Sequence, residues 1–308
     1  MVTTTTCWRP LAAAALVLIG VLSGNGVAGG QGAGPSPLIA AVRAADADDD
    51  DLEAVLRAAL DATADDRSRL GAILRRGTSA QRAAALTALA YAGGDEAIAT
   101  LERDAHPAMD TSRRALLCFA LAGRGTGADR AVLTRQLRGE HFGDEWPPIV
   151  AAALSLGVLR AADATPALER VASAGDGIAA HTAAEALRWI RKGPWRIELP
   201  ASSSDDDRVI AAAFRNGIPR TADAPAFYEA SRGGVWALED AVWRFRPRPK
   251  TADEPTIQFT VHRNASGTQA LLSVAVIFGP RNGAGYDYVL IRQGDEWRVR
   301  GVQFTWIS

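Results

Sequence analysis

The chain has 308 residues, 48% hydrophobic and 22% charged, with 34 basic against 35 acidic side chains. That length and balance belong to a folded protein of about two domains and exclude disorder over most of the chain. The charge divides as 20 basic against 22 acidic residues through Lys192 and 14 against 13 beyond it, so neither half carries the basic excess that a nucleic-acid binder needs.

The first residues read as an export signal: Arg9 supplies a positive charge, Leu11 to Leu22 an apolar run, and Val27-Ala28-Gly29 a small-residue cleavage site. The expected segments are then a signal peptide at 1–29 and an acidic linker at 30–50. The run is shorter than the roughly 20 residues of a membrane span, although an uncleaved anchor stays open as the alternative. No later stretch is long and apolar enough to span, so the expected location is secreted or periplasmic. Residues 30–50 pass from Gly/Pro/Ser-rich to the tract Asp46-Ala47-Asp48-Asp49-Asp50-Asp51, expected as a flexible tether that ends by capping a helix. A calcium loop would need glycine at the tract's sixth position and glutamate at its twelfth; Asp51 and Arg57 stand there.

From Leu52 to Arg191 apolar residues recur at helical spacing. A leading helix is expected at 52–62, then pairs at 66–76 with 79–92, 95–105 with 111–123, 128–138 with 147–159, and 163–173 with 178–191. Asp95, Asp129 and Asp163 fall at equal steps of 34 residues, each opening a helix. A period of this size marks stacked helix pairs, in which no unit buries its apolar face alone. Cys118 lies in the run Ala115 to Leu121 and reads as a buried small hydrophobe.

The unit Ala152-Ala153-Leu154-Ser155-Leu156-Gly157, followed by Asp163-Ala164-Thr165-Pro166-Ala167-Leu168, resembles the short HEAT-like repeat family of the PBS-lyase type. The resemblance covers residues 66–191 and implies an α-solenoid over 51–192. The third pair departs from it through the insertion Gly139 to Pro148, where Glu140, His141, Asp144, Glu145 and Trp146 gather. Loops that interrupt a repeat extend binding faces, which makes these five the candidate partner-binding loop.

Gly193-Pro194 ends the array, and residues 193–308 are expected to form a small α+β domain. The stretch Ser202-Ser203-Ser204-Asp205-Asp206-Asp207 supplies an N-cap for a helix at about 206–216, and Pro225 to Ser231 adds a further turn or two. Alternation then marks strands at Ile257 to His262, Leu272 to Phe278, Tyr286 to Arg292 and Trp297 to Trp306, with a loop at 279–285 and a hairpin about Gly294-Asp295. The last strand changes phase at Gly301, which would accommodate a bulge. This order of elements resembles the cone-shaped domains similar to nuclear transport factor 2, which implies a curved antiparallel sheet around a helix with a pocket. Tyr228, Trp236, Tyr286, Tyr288 and Trp306 are its candidate lining. Trp243 to Lys250 alternates aromatic and basic residues, read as one strand with an inward aromatic face.

His181 and Glu185 share a helix face without a third donor, so no metal site follows, and both are expected on the outer surface. No nucleophile elbow, zinc-protease pair, phosphate loop or dinucleotide fingerprint occurs. The expectation is therefore an exported, non-catalytic scaffold for a protein partner, without cofactor. In that reading the last domain docks on the end of the array with help from Trp189 and Trp195. The alternative puts a small-ligand pocket or weak activity in the last domain.

Overall fold

The computed structural model describes residues 36–45, 50–103, 111–138, 146–175, 177–199, 203–217, 226–240, 242–279 and 282–307. Among them are eleven α-helices and one curled eight-stranded mixed sheet, an α+β fold. The expected tether is in part a helix: α1 spans Pro37–Ala44, with Ser36 accepting from the Ile39 amide and proline at the first turn. Leu38, Ile39 and Val42 are buried, and that burial against α2 (Asp50–Ala59) and its neighbours is what orders a segment whose composition reads as loop. The Ser36 hydroxyl also donates to Asp66. Residues 46–49 of the acidic tract lie outside the described residues.

The helix pairs follow the expected bounds within a few residues: α3 Ala64–Arg76 with α4 Ser79–Ala92, α5 Asp95–Arg103 with α6 Thr111–Arg124, α7 Gly127–Gln136 with α8 Trp146–Val158, and α9 Thr165–Ala172 with α10 Ile178–Lys192. The second helices α4, α6, α8 and α10 pack on one another in sequence, and the first helices pack beside them. Alanines make the close approach possible: Ala85, Ala88, Ala152, Ala153, Ala183 and Ala186 are fully buried. At Gly157 an added Cβ would lie 3.0 Å from the Ala186 Cα and 2.7 Å from the Trp189 ring, so glycine sets the α8–α10 distance.

The 34-residue aspartates link consecutive units. Asp129 is buried at 1% exposure and closes a capping box with Thr126 while accepting from Arg124 Nε at 3.0 Å. The same guanidinium lies 3.6 Å from Asp95 and 3.7 Å from Glu102 of the preceding unit, and Arg130 Nε lies 3.8 Å from Asp163 of the following one.

After β1 (Arg196–Glu198) comes α11 (Asp205–Asn216), opened by a capping box between Ser204 and Asp207. Then follow β2 Ala226–Glu229, β3 Gly234–Glu239, β4 Val242–Pro247, β5 Thr256–Arg263, β6 Gln269–Gly279, β7 Asn282–Gln293 and β8 Glu296–Ile307. The sheet order is β1-β4-β3-β2-β5-β6-β7-β8. Three sequence expectations are corrected here. The sheet is mixed, because β1–β4 and β2–β5 are parallel pairs. The helical turn expected at Pro225 to Ser231 is strand β2 followed by a 3-10 turn at Ala230–Arg232, since pairing with β3 and β5 supplies the backbone partners that a helix would have made internally. The loop expected at 279–285 is largely strand, as β7 pairs with β6 from Asn282 onward.

Both faces of the sheet are covered, which gives four layers: first helices, second helices, sheet, α11. Leu271 and Val289 join the core of the helices, while Leu272, Tyr286, Tyr288 and Val302 join the core around Val209, Ala213 and Phe214 of α11. Helix α8 serves both cores, with Ala152, Ala153 and Leu156 in the first and Val150 and Leu154 in the second. It therefore lies along β8 and covers the long edge strand that would otherwise invite pairing with another chain. The expected end-on docking is thus a side-on one along α4, α6 and α8, with Trp189 buried in the second core as its contribution.

The bulge expected at Gly301 is present: Val289 faces Gly301 and Leu290 faces Val299, leaving Arg300 as the extra residue. A Cβ on Gly301 would meet the Phe119 ring of α6 at 2.8 Å.

Candidate functional site

The insertion residues Glu140, His141, Asp144 and Glu145 lie outside the described residues. Trp146, at the stem of that insertion, opens α8 and is the one large hydrophobic side chain exposed among the described residues, at 43%. Its ring stands edge-on to Phe304 of β8 at 6.0 Å between centroids, and Phe304 stands edge-on to Tyr286 at 5.5 Å. Two candidate sets that are far apart in sequence therefore meet through a residue in neither. Phe304 was legible only as one large residue of an alternating strand, because its neighbour on α8 is set by tertiary packing.

The other proposed lining residues stand in different surroundings. Trp236 is fully buried, stacks on Phe214 at 4.6 Å and donates from Nε1 to Glu229 Oε2 at 2.7 Å. Tyr288 is fully buried and donates to the Gly217 carbonyl at 3.2 Å; burial pushes its hydroxyl well above the usual tyrosine range. Tyr228 alternates with the buried Phe227 and so points to the opposite face of β2, half-buried. Trp306 pairs through its backbone with Gly285. Phe214 of α11 packs against Trp236, Trp243 and Phe259 of the sheet and fills the concavity there.

A cavity of about 170 Å³ survives beside this core, lined by Leu199, Asp207, Arg232, Trp236 and Phe245. Its charged groups are satisfied within the chain. Buried Glu229 accepts from Trp236, from Ser231 Oγ at 2.9 Å and from Arg232 Nε at 3.1 Å, and Arg232 also pairs with Asp207. No single-sequence signal pointed to Glu229, whose three partners converge only when β2, the 3-10 turn and β3 fold together.

A larger cleft of about 410 Å³ opens where α2, β5 and the start of α11 meet, lined by Arg57, Leu60, Asp206, Val261, His262 and Arg263. His262 Nε2 lies 3.1 Å from Arg57 Nη2 and 3.3 Å from Glu53 Oε1. Burial and the Arg57 charge lower the His262 pKa, and Glu53 only partly offsets them. Arg263 pairs with Asp205 and Asp206, each at 3.2 Å, and Trp297 Nε1 donates to Asp205 at 3.3 Å.

Other readings are settled by position. Glu185 is buried at 5% exposure and bridges to Arg188 at 3.0 Å, so it does not share an outer surface with the exposed His181, whose Nδ1 lies 3.1 Å from the Gly177 carbonyl. Packing of α10 against its neighbours turns that face inward. Trp243 and Phe245 join the second core while Arg244 and Arg246 reach Glu198 and Glu239, as the alternation implied. Cys118 is buried, and burial pushes its thiol up to about 12. Among the described residues no helix is long and apolar enough to cross a membrane. No family model, curated protein or solved structure matches the chain.

Proposed function

We propose that this is an exported, non-catalytic binding protein in which a HEAT-like solenoid and a domain similar to nuclear transport factor 2 are fused side by side. The solenoid reading is supported by helix pairs stacked at a 34-residue step with Arg124 and Arg130 bridging successive units; the second by a curled sheet packed around α11. Export rests on the Arg9, Leu11–Leu22 and Val27-Ala28-Gly29 pattern.

The single observation that carries the binding reading is Trp146. A large aromatic ring left exposed at the stem of the one insertion in the repeats, and backed by Phe304, is what an interface anchor requires. The surface of α6 and α8 that a solenoid would offer to a partner is occupied by β8 of the same chain, so the partner is received at the α8–β8 seam instead. The test is quantitative cross-linking in the native extract with wild type and Trp146→Ala. Loss of a defined cross-linked species in the variant, with unchanged thermal stability, supports the seam; an identical pattern in both chains ends the proposal.

The alternative, a small-ligand site in the last domain, is favoured by one observation, the cavity beside Trp236. A ligand there would change the fluorescence of Trp236, and a Phe245→Ala variant would lose that change.

A further inference from the structure

The seam between α2 and the sheet holds a geometric conflict at one atom. His262 Nε2 faces a guanidinium donor, Arg57 Nη2 at 3.1 Å, and a carboxylate acceptor, Glu53 Oε1 at 3.3 Å. One ring nitrogen satisfies only one of them at a time. Neutral, with its lone pair on Nε2, it accepts from Arg57; protonated, it donates to Glu53 and repels Arg57. Arg57 and Glu53 are also paired with each other one turn apart on α2, so whichever partner the ring releases stays on the helix.

We propose that His262 is a pH-operated latch between α2 and β5, in which protonation sets the ring's charge against the Arg57 guanidinium 3.1 Å away more strongly than the solvent-exposed Glu53 carboxylate offsets it, and so loosens α2 over the adjoining cleft. The latch sits at a joint between layers. Its side chain is 19% exposed, enough for proton exchange with solvent and little enough for the charge to be felt. The remaining charged groups around it are accounted for. On β5 itself, Arg263 points to the other face and is held by Asp205 and Asp206 of α11, the latter also lining the cleft. On β6 the cross-strand neighbour is the apolar Leu271. On β7 the carboxyl of Asp287 is engaged by Tyr91 of α4 and Ser273 of β6, within the field of Glu53. The turn that follows α2 is tied independently, since the Ala265 amide donates to Asp61 at 3.2 Å. Acidification therefore acts on the body of the helix and leaves that tie in place.

The sign follows from the environment. A neighbouring guanidinium and burial disfavour the charged ring in the closed seam, so the open form takes up the proton more readily. The contribution of this joint to stability is complete above the pH at which a free histidine titrates and is lost as pH falls through that range.

The test is hydrogen–deuterium exchange of the full chain between about pH 8 and about pH 5, corrected for intrinsic rates. Wild type is expected to lose protection in 50–59 on acidification while α6 and α8 keep theirs. In His262→Gln, whose amide satisfies either partner without charge, that loss is absent. An equal loss in both chains, or none in wild type, overturns the proposal. Glu53→Gln gives a second reading should His262→Gln fail to fold. Removing the carboxylate charge that favours the protonated ring moves the transition to lower pH, and an unmoved transition rejects the latch.

Discussion

Arg300, the extra residue in the β8 bulge, donates from Nη1 to the carbonyl of Ala92 at 3.2 Å across 208 positions of chain, and from Nη2 to Tyr91 O. Those carbonyls end α4, where the helix leaves backbone acceptors without partners of its own. A bulge in the sheet thus supplies the C-terminal cap of a helix in the neighbouring layer. The side chain passes over Gly93 and Gly123, where any Cβ would strike it. Among the described residues no carboxylate pairs with it, and burial lowers its pKa to about 10, which still leaves it charged at neutral pH.

Arg300→Met keeps the length of the stem and removes both donors. Tyr91 is buried and Ala92 half-buried, so leaving their carbonyls without the guanidinium is expected to cost about 2 kcal/mol in unfolding free energy, read by denaturant titration. A loss below about 0.5 kcal/mol would mean that water replaces the guanidinium and that the cap is dispensable.

Gly301→Val tests the same joint by steric means. Its Cβ would enter the Phe119 ring, and such overpacking costs about 1–3 kcal/mol. The melting temperature should fall, and Phe119→Ala in the same chain should recover part of it. Strictly additive effects would separate the two positions energetically.

Asp287 gives an inverted acid response. Its carboxyl accepts from Tyr91 OH at 3.0 Å and Ser273 Oγ at 2.7 Å, but burial, helped by Glu53, holds its pKa above the ordinary carboxylate range despite those bonds. With the folded value raised, its contribution to stability is present below the unfolded pKa and lost as pH rises through the folded one. Asp287→Asn cannot ionise, and the Ser273 hydroxyl can turn to accept from its amide. The variant should melt higher than wild type at neutral pH, with the gap closing as pH falls toward about 4. A gap that widens in acid would refute this reading.

Asp129 behaves in the opposite sense. Burial alone would raise its pKa, but bonds from Arg124 and Thr126 outweigh it and hold the carboxyl low. Its stabilisation is present above the unfolded pKa and lost as pH falls through the folded one. Asp129→Ala should lose about 1–2 kcal/mol at neutral pH by removing the cap, and less in acid.

Cys118 should be inert while the chain is folded. In a Cys7→Ser background, a thiol reagent at neutral pH should label it only at the rate of unfolding, because the thiol is buried and held up to about 12. Prompt labelling of native protein would show that α6 opens locally.

Local pattern alone determined the helix pairs, a cap within Ser202 to Asp207 ahead of α11, the terminal hairpin and the bulge at Gly301, because each depends on residues within one or two turns of each other. It missed α1, whose Leu38, Ile39 and Val42 form a stripe too short to be read without the surface they cover. It also missed β1 and the parallel pairing of β2 with β5, since strand order is decided by contacts far along the chain. The same holds for function. Trp146 was visible as a loop residue and Tyr286 as a strand residue, yet only packing of α8 along β8 brings both against Phe304. His262 stood in the sequence as the outward residue of an alternating strand, and the contest for its ring nitrogen arises from a helix 205 positions away. Side chains set which surfaces are apolar, but which two surfaces meet is a property of the whole fold, because burial rewards any complementary pair and the winning arrangement must satisfy all of them at once.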